Sequence, residues 1–167
     1  PKRKSMTPMG IATDRTTEKR ERLFQIIRKA GPMVIAFSGG VDSCLLLTVA
    51  HDALGPEVVA ATAVSDIHPR RQTERARTWV QRKNIPHVFF SSGEIRLPAF
   101  SANQADRCYH CKLNLFETLW QIAGDRKLSQ VAHGANADDL DDFRPGMEAA
   151  RKMNVRAPLI EAELRKQ

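Results

Sequence analysis

Cysteine is scarce in this sequence: three among 167 residues, at positions 44, 108 and 111. So few, so unevenly placed, exclude a disulfide framework and fit a reducing compartment, so a cytoplasmic location is expected. No apolar run approaches the roughly 20 residues of a membrane-spanning helix, and no membrane partner is expected. The first ten residues, "PKRKSMTPMG", lack the apolar segment of a secretory signal. Residues 1–17 read as a flexible basic arm. Aromatic residues make up only 6% of the chain, and no stripe of them interleaves with the basic residues. Nucleic acid is therefore not the expected partner. Internal repeats and low-complexity segments are absent.

Acidic residues are the minority charge, 19 against 26 Lys and Arg, for a net charge of +7. Basic residues cluster at 15–29 and 70–83. Two readings stay open: a basic surface spread over several helices, or a site for polyanions such as nucleotides or RNA.

What remains is an ordinary globular composition, long enough for one domain with its own core, taken as residues 18–167. Leu23, Ile26, Ile27 and Ala30 share a helical face over 18–30, and Gly31-Pro32 ends it. "MVIAF" (33–37) is apolar throughout, as in a strand buried on both faces. A helix follows to about Gly55, then a strand over 57–64, a basic helix over 69–83 and a strand over 86–90. After a long polar loop come a helix over 108–123, a strand over 129–134 and a short helix over 146–153. "VRAPL" (155–159) reads as extended. This alternation predicts an α/β fold, a parallel doubly wound sheet with helices on both faces. Ligands of such sheets bind beyond the carboxyl ends of the strands, where the loops at 38–43, 65–68, 91–107 and 134–146 lie.

"SGGVDS" (38–43) leaves the first strand and opens a helix. Its N–H groups and the helix dipole favour an anion. No Lys follows the last glycine, which excludes the common nucleotide P-loop, and the glycine spacing excludes a dinucleotide fingerprint. The motif resembles the PP-loop of the ATP pyrophosphatases, which cleave ATP between the α and β phosphates. The resemblance implies an adenine nucleotide α-hydrolase-like fold. It implies that Ser38, Gly39, Gly40 and Ser43 bind pyrophosphate and that Asp42 is catalytic and orients Mg²⁺. With the sheet topology, it also implies that the adenine sits near Val64 and Ser65 at the end of the second strand.

"GANADDLDDFRPG" (134–146) holds four aspartates within five positions, which repel one another unless a cation or an arginine sits among them. It is either a solvated acidic loop or a metal or substrate site, with Asp138 and Asp139 as Mg²⁺ ligands and Arg144, fixed by Pro145, as a catalytic candidate. Cys108 and Cys111 form a CxxC at a helix start. They are a reduced pair without a ligand, two ligands of an iron–sulfur cluster, or a redox pair. Cys44 reads as a small buried apolar residue.

The acidic loop, "VRAPL" and "RCYHCK" (107–112), in that setting, resemble the LarE family of ATP-dependent sacrificial sulfur transferases. The resemblance runs from about residue 18 to the end. It implies adenylation of a carboxylate on a pyridinium mononucleotide by ATP and Mg²⁺, then sulfur transfer, in maturation of a nickel-pincer nucleotide. The sulfur comes from a sacrificed cysteine or from a cluster. The family's donor cysteine lies after the "PL" stretch, so the sulfur-transfer region is expected to be missing from this chain. A homo-oligomer acting on a small nucleotide is expected. The alternatives are another adenylating branch, an amidotransferase-type synthetase or a tRNA-thiolating enzyme, and a non-enzymatic ATP- or metal-binding module.

Overall fold

The computed structural model describes residues 10–64, 70–91, 107–141 and 145–165. The run Met33-Val34-Ile35-Ala36 forms β1 (Met33–Ala36), in the interior of a four-stranded parallel sheet. β2 (Val58–Val64) flanks it on one side and β4 (Gln130–Ala132) on the other, with β3 (His87–Ser91) beyond β2, giving the order β3-β2-β1-β4. Met33 pairs with both Val58 and Gln130, so the three strands start level.

Successive strand residues face opposite sides, and each side is covered. Met33 and Ile35 pack against Leu23 and Ile27 of α1 (Gly10–Ala30), Leu46 and Val49 of α2 (Val41–Leu54), and Ala76 and Val80 of α3 (Arg70–Lys83). Val34, with Ala61 and Val131, packs against Phe116, Leu119 and Ala123 of α4 (Arg107–Asp125) and Ala149 and Ala150 of α5 (Pro145–Lys152). The doubly wound parallel sheet expected from the alternation is thus present. Among the described residues no helix is long and apolar enough to cross a membrane.

Three elements differ from the sequence reading. α1 begins at Gly10, so residues 10–17, counted above in the flexible arm, are helical. No Gly or Pro interrupts the stretch from Ile11 to Ala30. "VRAPL" is not extended throughout. Only Arg156 pairs, in a parallel bridge to Ala132, and Pro158 opens the short helix α6 (Pro158–Glu161). Proline suits a first helical turn, where its missing N–H has no partner to lose. The acidic loop also contains a 3-10 turn, Ala137–Leu140, where no regular structure was expected.

Among the described residues Phe116 is the largest fully buried side chain, and it holds the second helical layer to the sheet. Phe116→Ala should cost about 3–5 kcal/mol in urea unfolding. Leu140→Ala, at a side chain 51% exposed, should change the midpoint by no more than about 0.5 kcal/mol equivalent.

Candidate functional site

β1 has β2 on one side and β4 on the other, so the chain changes direction across the sheet at the carboxyl end of β1. A cavity of about 800 Å³ opens there. Its wall includes the SGGVDS loop, the ends of β2 and β4, Lys112 and Leu115 of α4, and the start of α5. That is ample for a nucleotide.

The loop is shaped by its own hydroxyls and glycines. Gly39 takes φ +78°, open to glycine at little cost. Its Cα faces Ala76, and an added Cβ would already touch that side chain at 3.4 Å. Ser43 Oγ donates to Gly40 O at 2.9 Å and lies 3.2 Å from Ser38 Oγ. Gly40 N–H donates weakly to Ser38 Oγ at 3.3 Å. The two serines therefore face each other across the turn that opens α2. No side chain caps this helix start, and its exposed N–H groups with the dipole make an anion site. Cys44 is half-buried; its Sγ approaches Gly39 O at 3.6 Å, and burial pushes its thiol pKa up. It packs as the apolar residue expected.

The acidic loop meets α2 through a residue that the sequence reading passed over. Asn136 is 2% exposed. Its Nδ2 donates to Asp42 Oδ2 at 3.1 Å, its Oδ1 accepts from Asp138 N–H, and its own N–H donates to Asp139 Oδ2 at 2.9 Å. The signal was the spacing N-x-x-D, a capping-box pattern. Asp42 and Asp139 both reach the cavity wall. Asp138 instead pairs with Arg165, which also holds Asp141 at 2.8 Å. Among the described residues no three His, Cys, Asp or Glu side chains gather into a metal site. A cation beside Asp42 and Asp139 would complete its shell with phosphate oxygens and water, as Mg²⁺ commonly does. Gly134, also passed over, abuts α2: a Cβ there would lie 3.1 Å from Ser43 N and 3.2 Å from Ser43 Cα. A side chain there would push the helix start away by a few tenths of an ångström, so glycine lets the segment after β4 approach closely.

The opposite wall carries Lys112, Leu115, His133 and Met147. Lys112 is the sole Lys or Arg among the described lining residues. His133 stacks edge-on against Phe116, and its Nε2 is buried without a hydrogen-bond partner. Burial, and then the Lys112 ammonium, hold its pKa down at about 4 against the pull of Asp139. Cys108 is exposed on the first turn of α4, Cys111 is half-buried at the start of the next, and neither lines the cavity. Val64 stands at the end of β2, one residue past the lining Ala63, and is 39% exposed. Ser65 and Arg144 lie outside the described residues, as do most of the loops at 65–68 and 91–107.

Two outcomes follow from this geometry. Gly134→Ala should weaken pyrophosphate binding, read by calorimetry, about tenfold or more, because overpacking a rigid contact costs ~1–3 kcal/mol. Gly124→Ala, where a Cβ meets nothing within 4 Å, should leave it unchanged. The second outcome concerns pH. His133 and His87 both stay neutral in the folded chain down to about pH 4, from an ordinary value of 6.5. Between those values the unfolded chain binds more protons, so stability is full above 6.5 and is lost as pH falls toward 4. Urea midpoints should decline across that window, and His133→Asn should flatten the decline; an equal slope in the variant contradicts the assignment.

No family model matches the chain. An uncharacterised protein of Synechocystis sp. is 40% identical over 148 residues, covering 89% of this chain and 55% of that protein. The pyridinium-3,5-bisthiocarboxylic acid mononucleotide synthase of Lactiplantibacillus plantarum is 27% identical over 146 residues, 87% of this chain and 53% of the synthase. The chain spans about half the length of the curated relatives it matches. Among solved structures, the NH3-dependent NAD synthetase of Campylobacter jejuni superposes with a TM-score of 0.62 at 19% identity, covering 87% of this chain and 76% of that one. That likeness shows the fold, the adenine nucleotide α-hydrolase-like sheet of the PP-loop proteins. With the loop at 38–43 and the acidic loop joined at one cavity, the chain is similar in sequence to this LarE-type synthase over about half of the synthase's length, and it has the fold of the PP-loop synthetases.

Proposed function

We propose that this chain carries the adenylating site of a cytoplasmic, ATP-dependent sulfur transferase whose acceptor is a carboxylate on a pyridinium mononucleotide. The proposed setting is nickel-pincer nucleotide maturation. The observation that carries the reading is the junction, through Asn136, of Asp42 in the SGGVDS loop with Asp139, both of which line the cavity.

In this reading the β and γ phosphates of ATP lie against the start of α2, where Gly40 and Val41 line the cavity and Ser38 and Ser43 offer hydroxyls. Asp42 and Asp139 would hold the Mg²⁺ that arrives with the nucleotide, which would supply charge neutralisation at the phosphates. Asn136 fixes the Asp42 carboxylate through Oδ2. The base lies toward Ala63, Val64 and Ser65. The acceptor carboxylate attacks the α-phosphorus, and the bond to the α–β bridging oxygen breaks. Its electron pair leaves on pyrophosphate, whose growing charge meets N–H groups already in place. The product is an acyl adenylate. A sulfur nucleophile then attacks the acyl carbon and AMP departs with the electron pair of the broken acyl–oxygen bond.

Lys112 faces this chemistry from the opposite wall, where its charge suits the acceptor's phosphate or carboxylate. His133, neutral at pH 7, adds no charge there. Arg144 remains a proposed catalytic residue. Cys108 and Cys111 supply two thiols, and an iron–sulfur cluster held by them needs a further ligand from elsewhere. A homo-oligomer is part of the proposal.

The test is product analysis by phosphorus NMR with ATP, Mg²⁺ and the pyridinium dicarboxylate mononucleotide. AMP and pyrophosphate are expected. ADP and phosphate would instead mark a kinase-like ATPase. Asp42→Ala and Gly40→Val should each abolish pyrophosphate release, the first by loss of cation placement and the second by filling phosphate space. Unchanged turnover in either removes the loop from the mechanism.

A further inference from the structure

Two successive carbonyls at the entrance of the SGGVDS loop are held by side chains from other elements. Thr62 Oγ1 on β2 donates to Phe37 O at 2.7 Å, and Gln72 Nε2 on α3 donates to Ser38 O at 3.3 Å. Both side chains line the cavity. Thr62 is buried, and its hydroxyl also lies 2.7 Å from His87 Nε2 on β3.

A hydroxyl has one proton, and a carbonyl can only accept. The Thr62 proton is therefore directed to Phe37 O. His87 Nε2 must then carry hydrogen and donate to Thr62 Oγ1, which leaves Nδ1 as the bare nitrogen. Nδ1 is buried with no hydrogen-bond partner. A second proton there would meet no acceptor; burial, and then the nearby Arg77, keep the ring neutral down to about pH 4. Phe37 and Phe89 flank the ring, with centroids at 6.0 Å and 4.0 Å. The tautomer is thus fixed, and the hydrogen bonds run one way, from His87 through Thr62 to Phe37.

We infer that this relay, together with Gln72, clamps two peptide planes of the loop and so aims its N–H groups for pyrophosphate, which makes Thr62 and Gln72 positioning residues. A trans peptide holds its N–H opposite its carbonyl. Tying Phe37 O fixes the direction of Ser38 N–H, and tying Ser38 O fixes that of Gly39 N–H. Donors aligned beforehand need no reorganisation when phosphate charge arrives. The inference rests on the phosphate role proposed above for the loop. It is separable from folding, because Phe37 N–H also donates to Ala61 O at 2.8 Å, which carries the strand pairing past Ala36 without the Thr62 hydroxyl.

The test is calorimetric titration of the whole chain with pyrophosphate, ATP and AMP, each with Mg²⁺. Thr62→Val removes the hydroxyl and keeps the shape, and valine suits a strand. It should weaken pyrophosphate and ATP about tenfold, the worth of one hydrogen bond of this kind. AMP, which lacks the β and γ phosphates, should change by less than about twofold on the same scale. Thr62→Ser should recover most of the loss. Gln72→Leu, at an exposed helix position, should move pyrophosphate in the same direction and guards against a folding defect at Thr62. Equal losses for all three ligands, or none for pyrophosphate, overturn the clamp. A parent chain that binds AMP but never pyrophosphate overturns the phosphate role and the clamp with it.

Discussion

Asn136 is the joint on which the site depends. It is nearly inaccessible and bonds three neighbours: its side-chain amide reaches Asp42 through Nδ2 and Asp138 through Oδ1, and its backbone N–H donates to Asp139. Asp42 belongs to the first turn of α2, and Asp139 to the 3-10 turn beyond β4. One buried side chain therefore ties the two loops that flank the change of direction in the sheet. Buried polar groups are costly unless paired. Each bond is thus also a constraint on the geometry, and Gly134 tightens it by letting β4 come up against Ser43.

The charges around that joint are sorted by partner. Four aspartates crowded into one loop would repel each other. Arg165 removes two of them from the problem by bonding Asp138 and Asp141, and Leu164 O accepts from Ala137 N–H at the same loop. Asp139, engaged by Asn136 N–H, still reaches the cavity beside Asp42. Two carboxylates, a helix start that no side chain caps, and Lys112 meet at one cavity, an arrangement that suits the polyanion and cation proposed above. The clamp on Phe37 O and Ser38 O acts on the same loop from the other side.

Much of this was legible in the sequence, and the reason is periodicity. Continuous apolar runs gave the strands, and spaced apolar residues gave the helices that cover both faces. "SGGVDS" was legible because two adjacent glycines after a strand have few structural uses. Asn136 and Gly134 were not singled out, although both lie in the quoted acidic loop, because their contacts with Asp42 and Ser43 of α2, more than 90 positions away, leave no local pattern. Asp138, named as a metal ligand, also carries an ion pair that local spacing cannot reveal, because Arg165 lies 27 positions away. "VRAPL" was read as extended, and Pro158 overrides that by opening α6. Thr62 and His87 left no pattern at all; their roles depend on the register of β2 against β3, in which Thr62 lies opposite Phe89.

The central claim is that the Asn136 joint holds Asp42 and Asp139 so that the loop supports reversible adenylation. It is tested most directly by the return of labelled pyrophosphate into ATP, with Mg²⁺ and the pyridinium acceptor present. The account predicts exchange that requires both additions and that is lost in Asn136→Leu, while the variant still folds. Exchange of equal rate in parent and variant, or labelled pyrophosphate that never enters ATP while ADP accumulates, contradicts it.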